Sequence, residues 1–83
     1  MNKPVHPPAR YLVLIDAGDG MVARLFDARH RHLIDIDASS WEVAEMTAGR
    51  MPAEGADHAE WDGALEGHSD AQLRSARIYT LDP

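Results

Sequence analysis

The run Tyr11-Leu12-Val13-Leu14-Ile15 constrains what this chain can fold into more than any other segment. It is continuous, short and rich in β-prone side chains. A strand that is apolar at every position has apolar neighbours on both of its faces. We therefore read Arg10 to Asp16 as a strand buried on both sides. Ala17-Gly18-Asp19-Gly20 follows, and an Asp-Gly pair between two apolar runs signals a hairpin. Met21 to Asp27 is then the returning strand, with Val22, Arg24 and Phe26 on one face and Met21, Ala23 and Leu25 on the other. Ala28 to Arg31 makes a second turn. His32 to Asp37 is a third strand whose period of two sends Ile34 and Ile36 inward and Asp35 and Asp37 outward.

The rest of the chain reads as short helices and one closing strand. Ser39-Ser40-Trp41-Glu42 has capping-box spacing, a serine followed three residues later by a glutamate. The helix it opens, about 40–48, sets Trp41, Ala44 and Ala48 on one side with Val43 and Met46 flanking them. Gly49 suits the left-handed position that ends helices. Residues 50–56 read as a loop through Met51-Pro52. A short helical segment is expected over 57–66, with Asp57 as cap and Trp61 and Leu65 spaced i, i+4. Ser69 caps a last helix through Asp70-Ala71-Gln72-Leu73-Arg74-Ser75, and Arg77 to Leu81 closes as a strand. The predicted fold class is α+β: a three-stranded antiparallel meander, then two or three short helices, then a C-terminal strand joining the sheet. The simplest arrangement covers that four-stranded sheet with helices on one face.

Size and charge bound the function. The chain's 83 residues suffice for one domain, expected over 10–83, after an extended N-terminal tail at 1–9 that carries three prolines. Those prolines interrupt any apolar core of a secretory signal, and no run approaches the length of a membrane helix. The expectation is a soluble, cytoplasmic protein. The formal net charge is −6, which argues against nucleic acid or an anionic membrane as partner. With no cysteine there is no disulfide, thiolate ligand or cysteine nucleophile. No serine sits in a nucleophile elbow, and phosphate-loop, dinucleotide and HExxH motifs are absent from the sequence.

Two segments offer ligands for a metal. Asp16, at the end of the first strand, and Asp19 in the turn would supply carboxylates to Mg²⁺, completed by an acid from 54–70. This is similar to the way ribonuclease-H-like and actin-like folds present a metal-binding carboxylate at a strand end. The competing reading gives Asp19-Gly20 only the backbone work of a turn. The second segment, residues 54–70, holds Glu54, Asp57, His58, Glu60, Asp62, Glu66, His68 and Asp70, and no lysine or arginine lies between Arg50 and Arg74. On a helix His58 and Asp62 share a face, and with His68 and Glu54 folding back they would form a Zn²⁺ or Ni²⁺ site. The competing reading is a solvated acidic face anchored by Trp61 and Leu65, or an acidic surface that docks a basic partner. Arg29-His30-Arg31-His32 is the one basic cluster, suited to a phosphate, to an acidic partner, or to guarding a strand end as an exposed turn. Trp41 and Trp61 are expected in the core.

Tyr11 to Phe26, and Ala23-Arg24-Leu25-Phe26 in particular, resembles the opening of the bacterial host-attachment-protein family. That resemblance implies an apolar strand, an Asp-Gly turn and a returning strand, in a fold related to a central domain of release factors; Leu33 to Asp37 would be the third strand. After Asp37 the chain departs from the family, whose basic–acidic segment and Arg-Pro-Gly turn are not found. Taken whole, the chain also resembles small proteins of Burkholderia-type proteobacteria, which implies no activity. The function expected is a protein-interaction or assembly module without catalysis, with no cofactor, an unidentified protein partner, and self-association to pair the two sheet edges. The alternatives are a metal-dependent phosphoryl-transfer or hydrolase module using Asp16, and a small metal-binding protein using residues 54–70.

Overall fold

The computed structural model describes residues 9–56, 61 and 67–81. Among them are strands β1 (Tyr11–Asp16), β2 (Met21–Phe26), β3 (His32–Asp37), β4 (Ala53–Glu54) and β5 (Arg77–Thr80), and helices α1 (Trp41–Thr47) and α2 (Asp70–Ser75). The strands form one sheet in the order β3-β2-β1-β5-β4, antiparallel at every step. This is an α+β fold. The first three strands follow one another as a meander, while β5 inserts on the far side of β1. β1 is therefore the central strand, as its unbroken apolar run requires.

The first hairpin closes with the Ala17 amide donating to the Gly20 carbonyl at 2.9 Å, and Gly18 supplies a φ of 92° that a β-carbon would resist. Its register runs from Asp16↔Met21 to Tyr11↔Phe26. Between β2 and β3 the register shifts at Leu25/Phe26, so that Leu25 faces Ile34 while Phe26 faces His32. Leu33 is thus the extra residue of a bulge on β3.

The sheet has a core on each face. Val13, Ile15 and Phe26 point to one side, where they pack with Trp61, Leu73 of α2 and Ala76. Leu12, Ala23 and Leu25 point to the other and pack with Val43 of α1, Tyr79 and Leu81. Each large side chain so buried contributes about 1.5–3 kcal/mol. The helices therefore cover both faces, and the expected one-sided cover is corrected. The physical reason lies in β1: a strand apolar on both sides needs a layer on each. Neither helix has eight residues, so both depend on that packing.

Several local expectations are also revised. α1 is capped by Ser40, whose side chain accepts from the Val43 amide, and not by Ser39. Asp37 accounts for the slip, because its carboxylate accepts the Ser39 amide at 2.9 Å and hydroxyl at 2.7 Å and holds that residue in a turn. Ser69 does cap α2, reciprocally with Gln72. Residues 50–56 are not wholly loop: Ala53 and Glu54 pair with Ile78 and Arg77 as a fifth strand. The Gly55 and Ala56 amides then donate to the carbonyls of Ala76 and Leu73, both at 2.8 Å, which fastens β4 to the end of α2. Of the expected tail over 1–9, residues 1–8 lie outside the described residues, as does the helical segment over 57–66 apart from Trp61, while Ala9 is half-buried against the α1-side core.

Candidate functional site

A single row crosses the sheet on the α2 side: Ala53, Ile78, Val13, Arg24, Asp35. It begins apolar and ends charged. Arg24 stands in mid-strand between the core and the sheet margin, with 19% of its side chain exposed, and it needs an acceptor there. Asp35, directly across on β3, provides it: Arg24 Nη1 donates to Asp35 Oδ2 at 2.6 Å. His32 Nε2 lies 2.7 Å from the other carboxylate oxygen. A cross-strand pair of this kind contributes about 0.5–1 kcal/mol. Asp35 therefore does not simply face water, as the alternation over β3 suggests.

Arg24 Nη2 lies 3.3 Å from His68 Nε2, and His68 Nδ1 lies 3.3 Å from Gln72 Oε1. A guanidinium only donates, so Nε2 accepts and the ring proton sits on Nδ1, where it meets the Gln72 oxygen. That oxygen also accepts from the Ser69 amide at 3.1 Å. One chain of polar contacts thus links β3, β2 and the start of α2. Beside it Trp61 is buried, stacked on the His30 ring at 4.0 Å and 11°, with Phe26 and Tyr11 edge-on. His30 takes a φ of 64°, and the stack and the edge-on Tyr11 ring at 4.9 Å hold it there.

The margin of the sheet next to this network is β3 itself, a full six-residue strand paired on one side only among the described residues. The opposite margin, β4, has two residues and offers little to pair with. Large apolar side chains are exposed at both margins: Leu33 is 37% exposed and Ile34 44% on β3, Met21 is 50% exposed at the start of β2, Trp41, four residues past β3, is 62% exposed, and Met51, two residues before β4, is 92% exposed. Ile34 shares the face of buried Leu25, as the alternation predicts, yet stays exposed, and the expectation that Trp41 lies in the core is corrected. α1 buries only Val43, so its first residue stays outside; Ile36 remains half-buried against the α1-side core. The signal for a mid-strand arginine facing an aspartate was legible in the hairpin register; the exposed margin was not, since it follows from where β5 inserts.

The sequence-derived metal ligands are placed apart. Asp16 is exposed, and its Oδ1 accepts the Gly18 amide at 2.9 Å, a bond internal to the turn. Asp19 is exposed in the same turn. His68 joins the Arg24 network, while His58 and Asp62 lie outside the described residues. Among the described residues no three histidine or acidic side chains gather to hold a metal ion. Nor is any helix among them long and apolar enough to cross a membrane. The basic cluster divides between roles: Arg31 bonds Asp27 across the turn at 3.3 Å, His30 stacks on Trp61, His32 meets Asp35, and Arg29 is exposed. Comparison with protein-family models, with curated proteins and with solved structures returns no match for this chain.

Proposed function

We propose that the chain is a small cytoplasmic interaction or assembly module that works by docking along the β3 margin and carries out no chemistry of its own. The observation that supports this is the exposure of Leu33 and Ile34 on a full-length edge strand that is paired on one side only among the described residues, with Trp41 exposed just beyond it. Exposed aromatic and aliphatic anchors around available backbone donors and acceptors suit association. The carboxylates of the first turn are less suited to a metal, since Asp16 already accepts from Gly18.

The test is an amide nitrogen–proton NMR spectrum recorded before and after Mg²⁺ and then Zn²⁺. Peaks that stay in place support the docking reading. Localised shifts at Asp16–Gly20 would replace it with metal-assisted phosphoryl or hydrolytic chemistry, and shifts confined to 54–70 would replace it with metal binding by that segment.

A further inference from the structure

We infer that His68 works as a proton-operated latch: neutral, it ties the start of α2 to Arg24 of β2, and protonated, it lets Arg24 go while staying with α2. The inference stands apart from the docking reading, because it needs no partner. What carries it is the place of one ring between two fixed ends. Arg24 Nη2 lies 3.3 Å from Nε2 on one side, and Gln72 Oε1 lies 3.3 Å from Nδ1 on the other. Neither end can change its role. The guanidinium stays charged and only donates, while the Ser69 amide holds Gln72 Oε1 as an acceptor within the capping box that starts α2. The ring between them fits in one form alone, neutral with its proton on Nδ1. A second proton must go to Nε2, where it sets donor against donor and cation against cation. No turn of the ring relieves this, since an imidazolium has two N–H donors and no acceptor. The Nδ1–H bond to Gln72 is kept and becomes charge-assisted. Protonation therefore breaks the link on the sheet side only.

The groups packed around the ring leave it that choice. From β2 comes Arg24, whose Nε is buried without an acceptor among the described residues and whose Nη2 has His68 as its partner. From β3 come Asp35 and His32, which hold the far side of Arg24: Asp35 accepts from Arg24 Nη1 and lies against His32 Nε2. His32 also takes up a proton in mildly acid solution, but beside the Asp35 carboxylate, so that its charge meets an opposite one. From α2 come Gln72 and, exposed in the first and last turns, Asp70 and Arg74. Histidine side chains charge as pH falls through about 6.5, which sets the latch to open in mild acid. What opens is local. Leu73 stays buried with Val13, Ile15 and Phe26, and its carbonyl keeps the Ala56 amide at 2.8 Å, so α2 retains its anchor while its first turn is freed from the sheet.

Nitrogen-15 NMR of the full chain from about pH 8 to about pH 5 tests this, since it spans the range in which histidine charges. At the upper end the expected His68 ring is neutral and protonated at Nδ1. As the ring charges, the Arg24 side-chain N–H signals and the amides of Ser69–Leu73 should shift with the midpoint of His68. His68→Gln stays neutral throughout and can accept from Arg24 while donating to Gln72. It should abolish those shifts and leave the ones that belong to His30 and His32. Circular dichroism checks that the variant folds, and the ring tautomer and amide titration of the unaltered chain decide the matter even if it does not. A His68 ring that carries its proton on Nε2 at the upper end, or that stays neutral to the lower, overturns the latch. So do α2 amides that stay in place as the ring charges, or that move as far in His68→Gln.

Discussion

Asp27 ends β2 and holds the turn that delivers β3. Its carboxylate accepts the Arg31 amide at 2.9 Å, the Arg29 amide at 2.8 Å and Arg31 Nε at 3.3 Å. The Arg31 amide is the largest influence; desolvation comes next and opposes it, and the Arg29 amide and the Arg31 charge then tip the balance, so that Asp27 is held below the ordinary aspartate value of 3.8. Asp37 is lowered likewise, first by the Ser39 hydroxyl and then by its amide. The two ends of β3 are thus pinned by carboxylates that must stay ionised. A folded-state value below the unfolded one means that the unfolded chain binds more protons in that window. Stability from both groups is accordingly complete above about pH 4 and is lost as pH falls through the folded values. Carbon-13 titration of the two carboxyls should show both midpoints below 3.8, and Asp27→Asn should flatten the acid limb of a denaturation curve. A midpoint for Asp27 at or above 3.8 would mean that the turn does not hold these bonds in solution.

At the scale of elements, the short helices are ordered by what they cover. α2 has six residues and buries Leu73 against Val13, Ile15 and Phe26, while the Ser69–Gln72 capping box satisfies its first amides. Ser69→Ala should cost about 1 kcal/mol. Leu73→Ala should cost about 2–4 kcal/mol, since a six-residue helix has no other anchor with which to close the cavity. Urea denaturation measures both; equal costs would show that capping, and not burial, keeps α2 on the sheet. β1, β2, β3, β5 and this cap were legible in the sequence because each is a local matter: an unbroken apolar run, a glycine turn, a serine before a helical stretch. The side of the sheet each helix takes was not legible, because Val43 and Leu73 look alike as isolated apolar residues and only the crossing of the chain separates them. The same limit applied to the tryptophans. Trp41 and Trp61 read equally as core, yet one begins a helix that buries only its third residue and the other lies beneath His30. Of the candidate site, the Arg24–Asp35 pair follows from hairpin register, whereas the outermost place of β3 among the described strands depends on β5 entering beside β1, a contact spanning most of the chain.

For the whole molecule, the consequence is a gradient of protection across the sheet. β1 is paired on both sides and buried on both faces, β2 and β5 flank it, and β3 and β4 lie outermost. A chain of this size buries only about 60% of the surface its unfolded form exposes, so neither thin core stands without the other and both share β1. Global unfolding is then the only opening that frees the β1 amides, whereas the outer strands also open locally. Hydrogen exchange in dilute solution should therefore find β1 slowest and the outward amides of β3 among the fastest in the sheet. If instead the outward amides of β3 exchange as slowly as those of β1, the outer strand does not open on its own, and the gradient across the sheet is absent in solution.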